Sequence, residues 1–290
     1  MPPTIHLVRH AQGLHNLSAE NEALRDPDLT PLGEQQCAEL RAAFAHHPRL
    51  ARLVASPLRR TIRTCALAFG GPDRLRPIVL LDTLQEVSDA PCDVGSSLAA
   101  LRAEFGDAVD ARRVRAGWTD KRPGSVFEPT VRALTARAKM ARRALRDIAG
   151  AEGGGDDDHD DDDAHVAVVT HGGFLHFLTD DWDGVPDGRA TGWTNCMFRS
   201  YQFAQAPDDP DDVRLVETAE SWARRQPASK QPLTAAEQRE LRAIVQQRIG
   251  PYLKIKPGGD DGDEMSRRRA DGYDVEDKHE AGGDDMDQVR

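Results

Sequence analysis

Residues 166–173 read VAVVTHGG, an apolar run that stops abruptly at a polar, glycine-rich corner. A short continuous apolar run of this kind predicts a buried strand, of the sort found where helices cover a sheet. The residues after it, Phe174–Asp181, read as a helix. The same strand-then-helix alternation recurs on either side. Thr4–Val8 is a short apolar strand, and Pro31–His46 is a helix with Thr30 as N-cap and Pro31 in its first turn. Arg52–Ala55 and Leu58–Phe69 repeat the pair. Ile78–Leu81, Met197–Phe203 and Val213–Val216 add strands, while Ser97–Phe105 and Thr130–Ile148 add helices. This alternation predicts an α/β fold, a three-layer α/β/α sandwich with a mostly parallel central sheet.

Composition narrows the class of protein. The chain has 290 residues, 30% of them charged and 39% hydrophobic, which suits a globular protein with strongly polar segments. No apolar run approaches the roughly 20 residues that a membrane span needs. The N-terminus MPPTIHLVRH lacks the pattern of a secretory signal. Four cysteines, Cys37, Cys65, Cys92 and Cys196, stand far apart without zinc-binding spacing, so reduced thiols and a cytoplasmic location are expected, with the nucleus as the alternative.

The net charge of −11 is concentrated in two tracts. Residues 151–163 hold eight acids and no Lys or Arg, and residues 258–290 hold twelve acids against five bases. What remains is mildly basic, which suits a small anionic substrate, and no basic stripe of the kind that binds nucleic acid is present. Residues 1–225 are expected to form the main domain, with 151–163 as a disordered acidic loop. Residues 226–257 are expected to hold an amphipathic helix packed on that domain. Thr234 and Glu237 form a capping box there, and Leu241, Ile244, Val245 and Ile249 line one face. Residues 258–290 read as a disordered tail. No membrane or nucleic-acid partner is expected, and a homodimer is left open.

In an open α/β sheet, reactive groups gather where strands end and loops begin. Strand one ends in Arg9-His10, and strand two runs into SPLRRTIRT with Arg59, Arg60 and Arg63. Strand three leads to Glu86, and VAVVT ends in Thr170-His171-Gly172-Gly173. Two histidines, arginines and one carboxylate in one crevice fit phosphoryl transfer. Arginine's planar fork gathers a phosphate, and a neutral imidazole attacks in line to form a phosphohistidine. A second, protonated imidazole stabilises the equatorial oxygens, and a carboxylic acid protonates the leaving alkoxide. Glycines at a helix start allow close approach of an anion to free N–H groups. Such chemistry needs no metal and no cofactor.

These motifs resemble the histidine phosphatase superfamily, also called phosphoglycerate mutase-like proteins. VRHAQGLHN is similar to the family's Arg-His-Gly signature with a following Asn, in a branch that reads RHAQGxHN, and SPLRRTIRT to its second signature. The resemblance implies the phosphoglycerate mutase-like fold, His10 as the phosphorylated nucleophile, Glu86 as proton donor and His171 as the second catalytic histidine. It also implies that Arg9, Asn16 and Arg60 contact the phosphate; Gly172 and His15 are placed with them on the substrate side. Ala11 departs from the glycine usual after the nucleophile. His6 and His176 are expected to be structural.

The implied activity is metal-independent hydrolysis of a small phosphorylated metabolite. Alternatives are a phosphoglycerate mutase-type transferase, a catalytically weak binding relative, or a scaffold recruited for non-phosphate chemistry. Leaving-group contacts are sought among Asp93, Ser96, Ser97, Arg112, Arg113, Arg115, Trp118, Lys121, Trp193 and Asn195.

Overall fold

His165–Thr170 (β5) is buried along its whole length and lies at the centre of the sheet. It pairs in parallel with Thr4–Arg9 (β1) on one side and with Leu50–Ala55 (β2) on the other. The computed structural model describes residues 3–71, 75, 77–150, 165–204 and 213–256. Among these, seven strands form one sheet: Ile78–Leu80 (β3), Val109–Asp110 (β4), Phe198–Phe203 (β6) and Leu215–Glu217 (β7) join the three above. Their order is β4-β3-β2-β5-β1-β6-β7, with the β1–β6 and β6–β7 pairs antiparallel and all other neighbours parallel. The sheet is therefore mixed and mostly parallel, as the alternation of elements predicted.

The pleat divides the core in two. In β5, Val166 and Val168 face one cluster while Ala167 and Val169 face the other. The first cluster takes Val131–Gly150 (α4), Gly172–Thr179 (α5) and Ala235–Ile249 (α7). The second takes Pro31–Ala43 (α1), Arg59–Phe69 (α2) and Leu98–Phe105 (α3). Helices thus cover both faces, giving the three layers. These elements belong to one compact unit, Met1–Lys256. The acidic loop expected at 151–163 and the tail expected at 258–290 lie outside the described residues.

Several boundaries differ from those read in the sequence, each for a local reason. Helix α1 stops at Ala43 rather than His46, since Phe44 turns to an extended conformation and buries its ring. Helix α5 begins directly after His171, not at Phe174, and ends at Asp180, which takes a left-handed φ of 56°. The short strand β4 and the helix Ala219–Arg225 (α6) carry too few apolar residues for a periodic signal. In α7 the capping box forms, but Ile244 is 65% exposed, so it does not share the buried face. Leu241, Val245 and Ile249 do, because the helix meets its core along a narrow i, i+4 seam.

Leu145 on α4 is fully buried between helix and sheet. Its replacement in Leu145→Ala is expected to lower unfolding free energy by about 2–5 kcal/mol. Urea unfolding checks this, and ligand affinity of the folded fraction should not change.

Candidate active site

The parallel strands β1, β2 and β5 end side by side, and the residues following them converge on one guanidinium. Arg60, one residue into α2, has no solvent exposure. Its Nη1 donates to the Cys92 carbonyl at 2.6 Å, and Nη2 donates to Asp93 Oδ1 at 2.9 Å and to His171 Nδ1 at 3.1 Å. Its Nε donates weakly to His10 Nε2 at 3.4 Å. Ser88 in turn donates to the other Asp93 oxygen at 2.5 Å.

These contacts assign the imidazole protons. His10 Nδ1 lies 2.7 Å from the Ala11 carbonyl, which can only accept, so Nδ1 carries the proton and Nε2 offers a lone pair. His171 Nδ1 accepts from Arg60, so its proton sits on Nε2, which donates to Ser56 Oγ at 2.9 Å. The two rings lie 5.2 Å apart between centroids, and His15 lies 5.5 Å from His10. Burial, then the Arg60 charge, holds His10 and His171 well below the ordinary histidine range. The sequence predicted a protonated second histidine; here His171 is neutral, because it is buried against a guanidinium. His15 is lowered to about 2 by burial, then Arg60 and Arg9.

Glu86 caps the start of α5. Its Oε1 accepts from the N–H groups of Val87 at 3.0 Å and Phe174 at 2.8 Å, and Oε2 accepts from Gly173 at 3.1 Å. The amides expected to receive a substrate anion at this helix start are thus taken up by a resident carboxyl. Burial raises the Glu86 pKa, with Asp93 adding to it, and outweighs the lowering by the Gly173 and Val87 amides and Arg60. Arg137 holds the same segment from behind, donating to the carbonyls of Gln85 at 3.0 Å and Glu86 at 3.1 Å. Gly172 makes room for its neighbours: a Cβ there would lie 2.7 Å from Thr191 and 3.1 Å from Arg9 Nε.

A cavity of about 150 Å³ opens among these groups, lined by Arg9, His10, His15, Asn16, Arg60, Glu86 and Gly172. His171 lies behind Arg60 and His10 rather than on this lining. A larger cavity of about 810 Å³, lined by Tyr201, Leu215 and Trp222, holds no histidine and none of the strand-end groups. The smaller one is where the strand-end side chains meet. Arg9 donates to the Trp193 carbonyl, and Asn16 Oδ1 accepts from the Gly13 amide at 3.1 Å. The Ala11 methyl is fully buried in the α1–α2 core and does not line the cavity, so the departure from glycine leaves the pocket unobstructed. Among the described residues, no three His, Cys, Asp or Glu side chains form a metal-binding group.

Other candidates serve elsewhere. Arg59 and Arg63 pair with Asp28 and Glu104, Arg112 with Asp110, and Arg115 with Asp82; Arg113 is exposed. Ser97 caps α3, and the Ser96 amide donates to Asp26. Trp118 is buried beneath Gly95, and Trp193 beneath Arg199. Asn195 braces the His10 carbonyl at 2.9 Å instead of reaching the mouth. Lys121 is buried beside the Glu86 carbonyl at 3.4 Å, and burial followed by Arg137 lowers its pKa to about 7. His6 is fully buried and bonds Ser200 and His165, while His176 is buried against the Asp181 carbonyl. Both are structural. The sequence did not reveal Ser56, which orients His171, or the wall of the cavity formed by Tyr252, Leu253 and Lys254. Ser56 opens SPLRRTIRT, but its contact to a histidine 115 residues away leaves no mark in the motif, and the C-terminal wall lies far from every motif.

Fold and site together define an α/β protein with a histidine–arginine pocket at the carboxyl edge of its sheet. The model of the histidine phosphatase superfamily (branch 1) matches residues 5–209, and the chain belongs to that superfamily. A phosphoglycerate mutase-like protein of Arabidopsis thaliana is 29% identical over 245 residues, 68% of this chain and 83% of that protein. A probable phosphatase of Schizosaccharomyces pombe is 32% identical over 107 residues, 35% of this chain and 49% of that protein. The solved structure of mycobacterial hydrolase 2 is 19% identical with a TM-score of 0.45, covering 84% of this chain and 99% of that one.

The lowered histidines link stability to pH. His6, His10, His15 and His171 stay neutral when folded but titrate near 6.5 when unfolded. The unfolded chain therefore binds more protons below about pH 6.5, and unfolding free energy should fall steadily as pH drops through and below that value. A urea midpoint unchanged between pH 7.5 and 5 would contradict these assignments.

Proposed function

We propose that this chain is a phosphatase that hydrolyses a small phosphorylated metabolite through a phosphohistidine on His10. The observation that carries the proposal is the His10 tautomer: the Nδ1 proton is committed to the Ala11 carbonyl, which leaves the Nε2 lone pair facing Arg60. No other imidazole of the cavity combines a fixed lone pair with an arginine donor beside it on the open side. Membership of the superfamily supports a phosphatase-type activity.

In the first step, His10 Nε2 attacks phosphorus and the P–O bond to the leaving group breaks. The Glu86 carboxyl, kept protonated further up the pH scale by burial, transfers its proton to the departing oxygen. Arg60 and Arg9 supply the positive charge that gathers the phosphoryl oxygens, with Asn16 beside them. A phosphoryl group on Nε2 takes over the Arg60 Nε donor, now in only a 3.4 Å contact. Its negative charge close to His171 raises the affinity of that imidazole for a proton, which favours the protonated partner expected from the sequence. In the second step, water attacks phosphorus, Glu86 takes up its proton, and the N–P bond breaks to release inorganic phosphate and free His10.

A cavity well below the roughly 300 Å³ at which pockets for drug-sized ligands begin suits a metabolite of a few carbons. Turnover without a metal or cofactor, a cytoplasmic setting with the nucleus as alternative, and a monomer or homodimer complete the proposal. Among the described residues no helix is long and apolar enough to cross a membrane.

His10→Ala is expected to reduce phosphomonoester hydrolysis by at least 10³-fold. Rapid acid-free quenching should trap labelled phosphate on wild type and not on the variant, and activity should persist in EDTA. Full activity of His10→Ala would overturn the mechanism. Release of inorganic phosphate from 3-phosphoglycerate, in place of isomerisation, separates this reaction from that of a mutase.

A second expectation concerns pH. Activity should fall on the alkaline side as Glu86 loses its proton, above the usual carboxylate range. In Glu86→Gln the first step slows, most for poor leaving groups, and that alkaline limb should vanish from kcat/KM.

A further inference from the structure

After α7 the chain turns back, and residues 250–256 bring Tyr252, Leu253 and Lys254 to the cavity that holds His10 and Arg60. This wall lies beyond residues 5–209, so it is not part of the span that defines the family. It is anchored on both sides of Lys254. Leu253 is buried, with its Cδ2 lying 2.7 Å from where a Gly173 Cβ would stand. The Lys256 amide donates to the Pro129 carbonyl at 2.7 Å, and its ammonium pairs with Asp89. Between these anchors Lys254 adopts a left-handed φ of 52°, rarely taken by a residue with a Cβ. The Ile255 amide closes the turn onto the Gly250 carbonyl at 3.0 Å. Lys254 Nζ then donates to the carboxylate of Glu22, which lines the same cavity from the segment Glu20–Ala23.

We infer that Lys254 binds a second acidic group, a carboxylate or a further phosphate, on the leaving-group side of the phosphomonoester held at His10 and Arg60, and that Glu22 gives way to it. The inference rests on the phosphatase reading and specifies its substrate class. The side chains of Lys254 and Glu22 are 48% and 38% exposed, and an ion pair this open to water is weak and easily exchanged. An incoming dianion attracts Lys254 and repels Glu22, so the pair opens in one direction only. An ammonium with three rotatable donors accepts either kind of anion. The small cavity requires that the second acid lie only a few bonds from the ester.

Two probes differ in this group alone. 3-Phosphoglycerate carries a carboxylate where glycerol 3-phosphate carries a hydroxymethyl. With full-length protein, Lys254→Met should lower the ratio of kcat/KM for 3-phosphoglycerate over glycerol 3-phosphate at least tenfold, mainly through KM. Lys254→Arg should recover most of it, and Glu22→Gln should shift the ratio the opposite way by removing the competing carboxylate. An unchanged ratio in Lys254→Met, or the same loss in Glu22→Gln, overturns the inference. The same comparison by calorimetry in His10→Ala does not depend on turnover. There Lys254→Met should weaken 3-phosphoglycerate at least tenfold relative to glycerol 3-phosphate. If wild type binds both probes and hydrolyses neither, the phosphatase reading fails, while the binding ratio still decides the role of Lys254. Should Lys254→Met fail to fold, Glu22→Gln and Lys254→Gln give the same two readouts.

Discussion

A guanidinium removed from water is the constraint on which the other parts of this site depend. Arg60 carries a full charge with no exposure, and such a group is tolerated only when its donors are met by well-placed acceptors. Those acceptors come from three separate stretches of chain: the residue after β1, the adjacent Cys92 carbonyl and Asp93 carboxylate, and the residue after β5. They can meet only because β2, β5 and β1 are neighbours in the sheet and run the same way. Strand order thus sets the electrostatics. Asp93 balances the charge, Ser88 fixes the second Asp93 oxygen, and the remaining Arg60 donors face the two histidines.

The same charge separates the protonation states of the groups around it. Three imidazoles are kept neutral, by burial first and by Arg60 next. Glu86 is moved the other way, toward its protonated form, although the Gly173 and Val87 amides and the Arg60 charge pull against that shift. A base freed of its proton and an acid kept with one, in the same cavity, form the pairing that acid–base chemistry at moderate pH requires. Neither state belongs to the residue type alone; both follow from what surrounds it.

The C-terminal part of the chain completes this site from outside the family span. Helix α7 is held by the narrow seam of Leu241, Val245 and Ile249, while Ile244 points to water. That docking determines where the chain emerges, and the anchored turn after it carries Lys254 to the cavity wall. The helical layer that stabilises one face of the sheet therefore also shapes one side of the pocket.

Much of this was legible in the sequence, and the physical reason differs by feature. The valine run of β5, the capped start of α1 and the strand-to-helix alternation encode the layers, because burial and capping act over a few residues. His10, Arg60, Glu86 and His171 were legible as a set because each follows a strand, and parallel strands bring their ends to one edge. The short β4, the exposure of Ile244 and the end of α5 were not, since packing outweighs periodicity there. The sequence by itself determined the fold class and the set of strand-end residues that meet in the pocket. Only the tertiary structure decided which nitrogen of His10 is free, that His171 is neutral, that Glu86 occupies the α5 amides and that Lys254 reaches the cavity. Proton positions and pKa values depend on distance and burial, and these exist only once residues remote in the chain have packed together.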